Sequence, residues 1–160
     1  MIKIKNDIKL VVSDFDGIFT DGGVYVMDGG KTAKKINYID VMAVSLLLKR
    51  GIKVAIISGE VSPALNFIKN KFDLEDVFQG IRVKAPIVAD LMKKYSLSPK
   101  EVAYIGDDFN DIEAMGLVEN RFAVPNANYT IKDFENVQIT KAVGGSGAFR
   151  ELADNILIKL

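Results

Sequence analysis

The sequence predicts an α/β fold, a parallel sheet with helices on both faces, on three observations. Apolar runs of strand type recur without polar alternation, as strands buried on both faces require. A helical pattern follows each of them, the alternation expected of a parallel sheet. Polar clusters then fall at the carboxyl ends of these runs, where ligands bind in open α/β sheets. The chain has 160 residues and no linker, repeat or low-complexity tract, so residues 1–160 read as one domain.

The first strand is Ile8 to Ser13. A β-hairpin follows at about residues 22–37: Val24 to Met27, a turn at Asp28-Gly29-Gly30, and a return from Thr32. Val41 to Lys49 reads as a helix, with Asp40 placed as its N-cap and Gly51 closing it. The second strand is Val54 to Ile57, and Ser62-Pro63 opens the next helix with proline at its first position. A weaker strand at Asp76 to Phe78 precedes a helix from Lys84 to Tyr95, whose Val88, Leu91, Met92 and Tyr95 share one face. Ser98 and Glu101 have the spacing of a capping box for one short turn. Val102 to Ile105 and a weaker run at Phe122 to Val124 complete the strands, and a last helix runs from about Ala148 to Ile158.

What the chain lacks narrows its chemistry. It has no cysteine and no histidine, which excludes thiol nucleophiles, Ser-His-Asp hydrolysis and the usual zinc sites. Its net charge is zero, so nothing favours nucleic acid or an anionic membrane as partner. No apolar run approaches the roughly 20 residues of a membrane span. The start MIKIKNDIK does not resemble a signal peptide, so a cytoplasmic location is the expectation.

The first strand ends in Ser13-Asp14-Phe15-Asp16-Gly17, two carboxylates one residue apart. Such anions repel, and a fold rarely gathers them for stability alone. Ser58-Gly59 ends the second strand, and Gly106-Asp107-Asp108-Phe109-Asn110-Asp111 ends the strand begun at Val102. Lys84 opens a helix shortly after another strand and comes to the same edge. Taken singly, aspartates and glycines are ordinary turn residues. Five acids, a lysine and a serine converging on one sheet edge are expensive unless a cation joins them, and Mg²⁺ is the hard cation that carboxylates alone suit. Asp14 is the candidate nucleophile, able to form an aspartyl-phosphate once its repulsion from phosphate is screened. Asp16 is placed to protonate the leaving oxygen and then deprotonate water, and its backbone carbonyl can reach the metal. Asp107 is a second carboxylate ligand, while Ser58, Gly59 and Lys84 hold the phosphoryl oxygens.

DFDGIFTD, SGE, Lys84 and GDDFND, in that order, resemble the four motifs of the haloacid dehalogenase superfamily of phosphotransferases. The resemblance runs through nearly the whole chain, and the first and last motifs are specific together. It implies a Rossmann-like sheet, Asp14 as nucleophile, Asp16 as acid/base, and Mg²⁺ on Asp14, Asp107 and the Asp16 carbonyl. Ser58 and Lys84 become the phosphate ligands, with Thr20, Asp108 and Asp111 supporting the site from behind.

Residues 22–37 leave room only for a hairpin where many members carry a cap domain. The chain therefore resembles the capless subgroup of sugar-acid phosphatases, which act on 3-deoxy-manno-octulosonate 8-phosphate and 2-keto-3-deoxynononate 9-phosphate. That resemblance implies a homotetramer in which hairpins pack together and a neighbour's C-terminal segment helps wall the site. Glu60, where octulosonate enzymes usually carry arginine, and Ser146, where they commonly carry another, lean toward the nononate substrate, with the octulosonate as alternative. Glu60, Asn110 and Lys71 (or Lys69) are the expected substrate contacts, since Ile68 stands where a basic residue for the sugar carboxylate is expected.

Two other classes share parts of this pattern. A receiver domain gathers aspartates, a hydroxyl and a lysine around Mg²⁺, but its lysine comes near the end, whereas Lys84 precedes the last acidic motif. A non-catalytic oligomerisation domain would not need Asp14, Asp16, Lys84 and Asp107 together.

Overall fold

In a computed structural model that describes residues 2–159, a six-stranded, all-parallel sheet forms the centre of the molecule. Its strands are β1 (Leu10–Ser13), β4 (Lys53–Ile57), β5 (Val77–Phe78), β6 (Val102–Gly106), β7 (Asn120–Ala123) and β8 (Val137–Ile139). The remaining strands, β2 (Tyr25–Val26) and β3 (Thr32–Ala33), pair antiparallel as the separate hairpin. The spatial order is β5-β4-β1-β6-β7-β8. The chain therefore leaves β1 for β4 and β5 on one side, then crosses back to β6 on the other. That reversal opens a crevice at the carboxyl ends of β1 and β6, the switch point at which such sheets bind ligands.

β1 and β6 are buried at every residue, which requires cover on both faces of the sheet. The helices are α1 (Tyr38–Lys49), α2 (Pro63–Phe72), α3 (Ala85–Lys94), α6 (Ala148–Leu157) and the single turns α4 (Ile112–Met115) and α5 (Tyr129–Lys132). α1 packs on α6, α2 and β4, while α3 packs on α4. No described helix is long and apolar enough to cross a membrane.

The sequence misjudged several local features. Asn37, not Asp40, caps α1, its side chain accepting from the Ile39 N–H at 3.0 Å. Asp40 is fully buried one turn inside and caps a different helix: its carboxylate accepts from the Gly147 N–H and the Arg150 N–H, each at 2.9 Å. Those are orphan donors of α6, which starts at a glycine and has no side-chain cap of its own. β8 was not foreseen, because its Val137-Gln138-Ile139 is short and half-exposed at the sheet edge. Lys84 occupies the N-cap position of α3, one residue before the first turn, and makes no side-chain cap bond. The capping box of Ser98 and Glu101 is present as expected.

The hairpin is shorter than its apolar stretch suggested, with two residues in each arm. A hairpin folded back on its own domain would bury one of its two sides. Instead Val24, Tyr25, Val26 and Met27 are all about half exposed or more, at 49%, 62%, 74% and 48%.

Candidate active site

Asp14 follows β1 directly, and its N–H continues the sheet by donating to the Ile105 carbonyl at 2.9 Å. The loop beyond it is anchored from below, because Phe15, Ile18 and Phe19 are fully buried. Phe19 packs against Phe149 of α6 with ring centroids 4.6 Å apart. Apolar residues thus alternate with the acids, and burying the former turns Asp14 and Asp16 toward the crevice. Gly17 closes the loop at φ +74°. A Cβ there would lie 1.8 Å from Asp107 Oδ2, so glycine is what lets the β6 loop approach the β1 loop.

Lys84 is buried between two carboxylates, with Nζ 2.7 Å from Asp14 Oδ2 and 2.7 Å from Asp111 Oδ1. Asp111 also accepts from the Tyr104 hydroxyl at 2.6 Å and, on its other oxygen, from the N–H groups of Asp107 and Asp108 at 3.0 and 3.2 Å. Its oxygens are therefore committed to holding the loop and the lysine. Tyr104 is an unforeseen partner of Asp111. One signal was legible: a hydroxyl inside the strand Val-Ala-Tyr-Ile must find a polar partner once buried. Asp108 does local work, accepting from the Phe109 N–H at 2.8 Å at the start of a 3₁₀ turn.

Electrostatics follow from one ammonium serving several acids. Burial, with the Asp111 charge added to it, raises the Asp14 carboxyl well above its ordinary pKa despite Lys84. Burial, with Asp111 and Asp108, pushes Asp107 up to about 7. Burial works against the Lys84 ammonium, but Asp14 and Asp111 outweigh it and raise its pKa. Negative charge is in excess here, the condition a divalent cation relieves. Carboxylate oxygens of Asp14, Asp107 and Asp111 all lie within 4.8 Å of one another. Asp111 accepts from four donors and each Asp14 oxygen from one, Lys84 on Oδ2 and the Phe15 N–H on Oδ1, so among the described residues Asp107 is the carboxylate of the three that no donor engages.

Asp14, Asp16, Gly59, Glu60, Asp107, Asp108 and Asn110 line one cleft of about 330 Å³. Ser58 is buried beneath it, its Oγ accepting from the Glu60 N–H at 3.2 Å. Thr20 donates to Asp16 Oδ1 at 3.2 Å. Lys71 is not brought to this cleft. It lies in the last turn of α2, where its ammonium sits 5.3 Å from the Tyr38 ring centroid and 5.9 Å from that of Phe67. At about 1.5 Å rise per residue, the helix carries it some 12 Å beyond Pro63. Lys69 shares that last turn, and neither lysine lines the cleft. Lys34 went unnoticed in the sequence, and its Nζ lies 2.6 Å from Asp16 Oδ2. Nothing in a lysine pair after a short strand marks which of the two turns inward.

A carboxylate at the end of the central strand, with a lysine on it and two more acids across the crevice, defines an aspartate-based, metal-dependent phosphotransferase site. The comparisons agree. Residues 56–147 match the haloacid dehalogenase-like hydrolase family. The 3-deoxy-D-manno-octulosonate 8-phosphate phosphatase of Haemophilus influenzae is 34% identical over 155 residues, covering 97% of this chain and 85% of that protein. Its counterpart in Escherichia coli K12 is 31% identical over 152 residues, covering 95% and 80%. A cobalt-bound structure of the Haemophilus enzyme superposes with a TM-score of 0.87 at 34% identity, covering 95% of this chain and 88% of that one. The Moraxella catarrhalis enzyme, solved with magnesium, phosphate and KDO, gives 0.89 at 31% identity, covering 96% and 87%. The chain belongs to the haloacid dehalogenase-like hydrolases, in the capless sugar-acid phosphatase subgroup, and is a phosphoric monoester hydrolase whose cofactor is Mg²⁺.

Proposed function

We propose that this hydrolase removes phosphate from a phosphorylated keto-deoxy sugar acid, with 3-deoxy-manno-octulosonate 8-phosphate as first choice. The observation that carries the reaction is Asp14, held by Lys84 at 2.7 Å, facing Asp16 and Asp107 across one cleft. The octulosonate enzymes that match nearly the whole chain support this substrate, reversing the order in which Glu60 and Ser146 ranked the two. The nononate 9-phosphate stays as second reading because Glu60 does line the cleft, where its carboxylate can accept from sugar hydroxyls.

Asp14, Asp107 and the Asp16 carbonyl would hold Mg²⁺. Bound there, the ion supplies the positive charge that lets a phosphate dianion approach a carboxylate. An Asp14 oxygen attacks phosphorus as the bond to the sugar oxygen breaks, and Asp16 gives that oxygen its proton, leaving a sugar-acid hydroxyl. Water then attacks the aspartyl-phosphate, Asp16 takes its proton, and the bond from Asp14 to phosphorus breaks to release phosphate. Lys84 offsets charge on Asp14 and the phosphoryl group throughout, while Ser58 and Gly59 offer donors to the phosphoryl oxygens.

The active form is a homotetramer assembled through the hairpins, since an exposed two-stranded hairpin with apolar side chains on both sides is marginal in water by itself. A panel of phosphorylated sugar acids, assayed for phosphate release with Mg²⁺, tests the substrate. The octulosonate 8-phosphate should give the highest kcat/KM. A clear preference for the nononate 9-phosphate would reverse the choice, and no turnover of any sugar-acid phosphate would reject the class.

A further inference from the structure

Lys34 follows β3 of the hairpin, yet its side chain turns back into the domain and is only 15% exposed. Its ammonium meets Asp16 Oδ2 at 2.6 Å, while the Thr20 hydroxyl donates to Asp16 Oδ1 at 3.2 Å. Each carboxylate oxygen thus accepts from a different element. Thr20 is fixed in turn, because the Gly17 and Gly22 N–H groups each donate to its Oγ1 at 3.2 Å. A carboxylate held at one oxygen can still swing about its side-chain torsions. Held at both, it has one orientation. We propose that Lys34 is a positioning residue for Asp16, so that the hairpin supplies the second anchor of the acid/base group.

Two simpler roles for Lys34 make different demands. A lysine that served only to tie down the hairpin would, when lost, release the hairpin and the assembly with it, which light scattering reads. A lysine that bound substrate directly would line the cleft, whereas Lys34 is not among its lining residues and meets Asp16 at 2.6 Å. Positioning has a kinetic consequence, since a misplacement of about 1 Å in a reacting group can cost about a hundredfold in rate. The inference rests on the phosphatase reading of Asp16.

A double-mutant cycle of Lys34→Met and Asp16→Asn tests it, with p-nitrophenyl phosphate as substrate. That leaving group departs without a proton, so the aspartyl-phosphate still forms in the Asp16→Asn background, and the effect of Lys34 on turnover is read on the attack of water, the step for which Asp16 is the base. Lys34→Met should lower kcat by about tenfold or more in the native background, with KM within about twofold. In the Asp16→Asn background the same change should cost less than about twofold. Lys34→Arg should keep kcat within about threefold, because a guanidinium can still donate to Oδ2. Light scattering on Lys34→Met should show the native assembly. Equal losses in both backgrounds, a rise in KM at unchanged kcat, or loss of assembly along with activity would overturn the proposal. Absence of phosphatase activity in the native protein would instead overturn the reading of the site itself, so the two failures are distinguishable.

Discussion

Asp14 is the nucleophile of the proposed mechanism, and its setting shows what a replacement would lose. Asp14→Asn keeps the size and a carbonyl acceptor for the Phe15 N–H, which donates to Asp14 Oδ1 at 2.6 Å. An amide cannot form the acyl-phosphate, so turnover should fall by at least about a thousandfold, the scale of removing a catalytic nucleophile. Circular dichroism should show an unchanged fold. Asp107, as a proposed metal ligand, would make metal binding depend on pH. Its carboxyl is pushed up to about 7, so protons compete with the cation below that pH. Mg²⁺ affinity should therefore rise as pH climbs from about 6 to 8 and flatten above, which calorimetry can follow. Chelator should abolish activity and added Mg²⁺ restore it; a pH-independent affinity would contradict the role of Asp107. The acidic pair and Lys84 were legible because their spacing is fixed along the chain. Tyr104 and Lys34 were less so, since neither belongs to a motif, although their partners Asp111 and Asp16 stand only 7 and 18 residues away.

Asp40 shows how an element can be capped from outside itself. Its place beside an apolar helical run made it look like the N-cap of α1, a local inference that holds only when the cap belongs to the same helix. The structure instead spends it on the first turn of α6, more than a hundred residues away, and burial raises its pKa despite those bonds. Asp40→Ala would leave two buried N–H groups of α6 without acceptors. That should cost about 2 kcal/mol, read by urea denaturation at fixed protein concentration. Phe149 on the same helix packs against Phe19, so loosening α6 should also weaken the loop that aims Asp16. Activity of Asp40→Ala is expected to fall more steeply with temperature than that of the native protein.

At the level of the whole molecule, the hairpin raises the question of assembly. Val24 and Val26 are 49% and 74% exposed, and the hairpin's other apolar side chains are no better covered. Val24→Asp with Val26→Asp should convert a tetramer seen by light scattering into smaller species, with activity falling alongside. A native monomer of full activity at micromolar concentration would contradict the proposed assembly. The fold class and the order of the main helices and strands, apart from β8 and the single turns α4 and α5, were legible in the sequence through periodicity and turn chemistry, which are local in the chain. The four motifs and the hairpin in place of a cap were legible through resemblance to a known family. Tertiary structure decided that Asp111 is occupied by Lys84 and Tyr104 while no donor among the described residues engages the Asp107 carboxylate. It also decided that Lys71 sits away from the cleft, that Asp40 serves α6, and that Lys34 reaches Asp16. Each of these depends on which segments a parallel sheet with a switch point brings side by side, and a chain read in order carries no measure of distance between residues far apart in it.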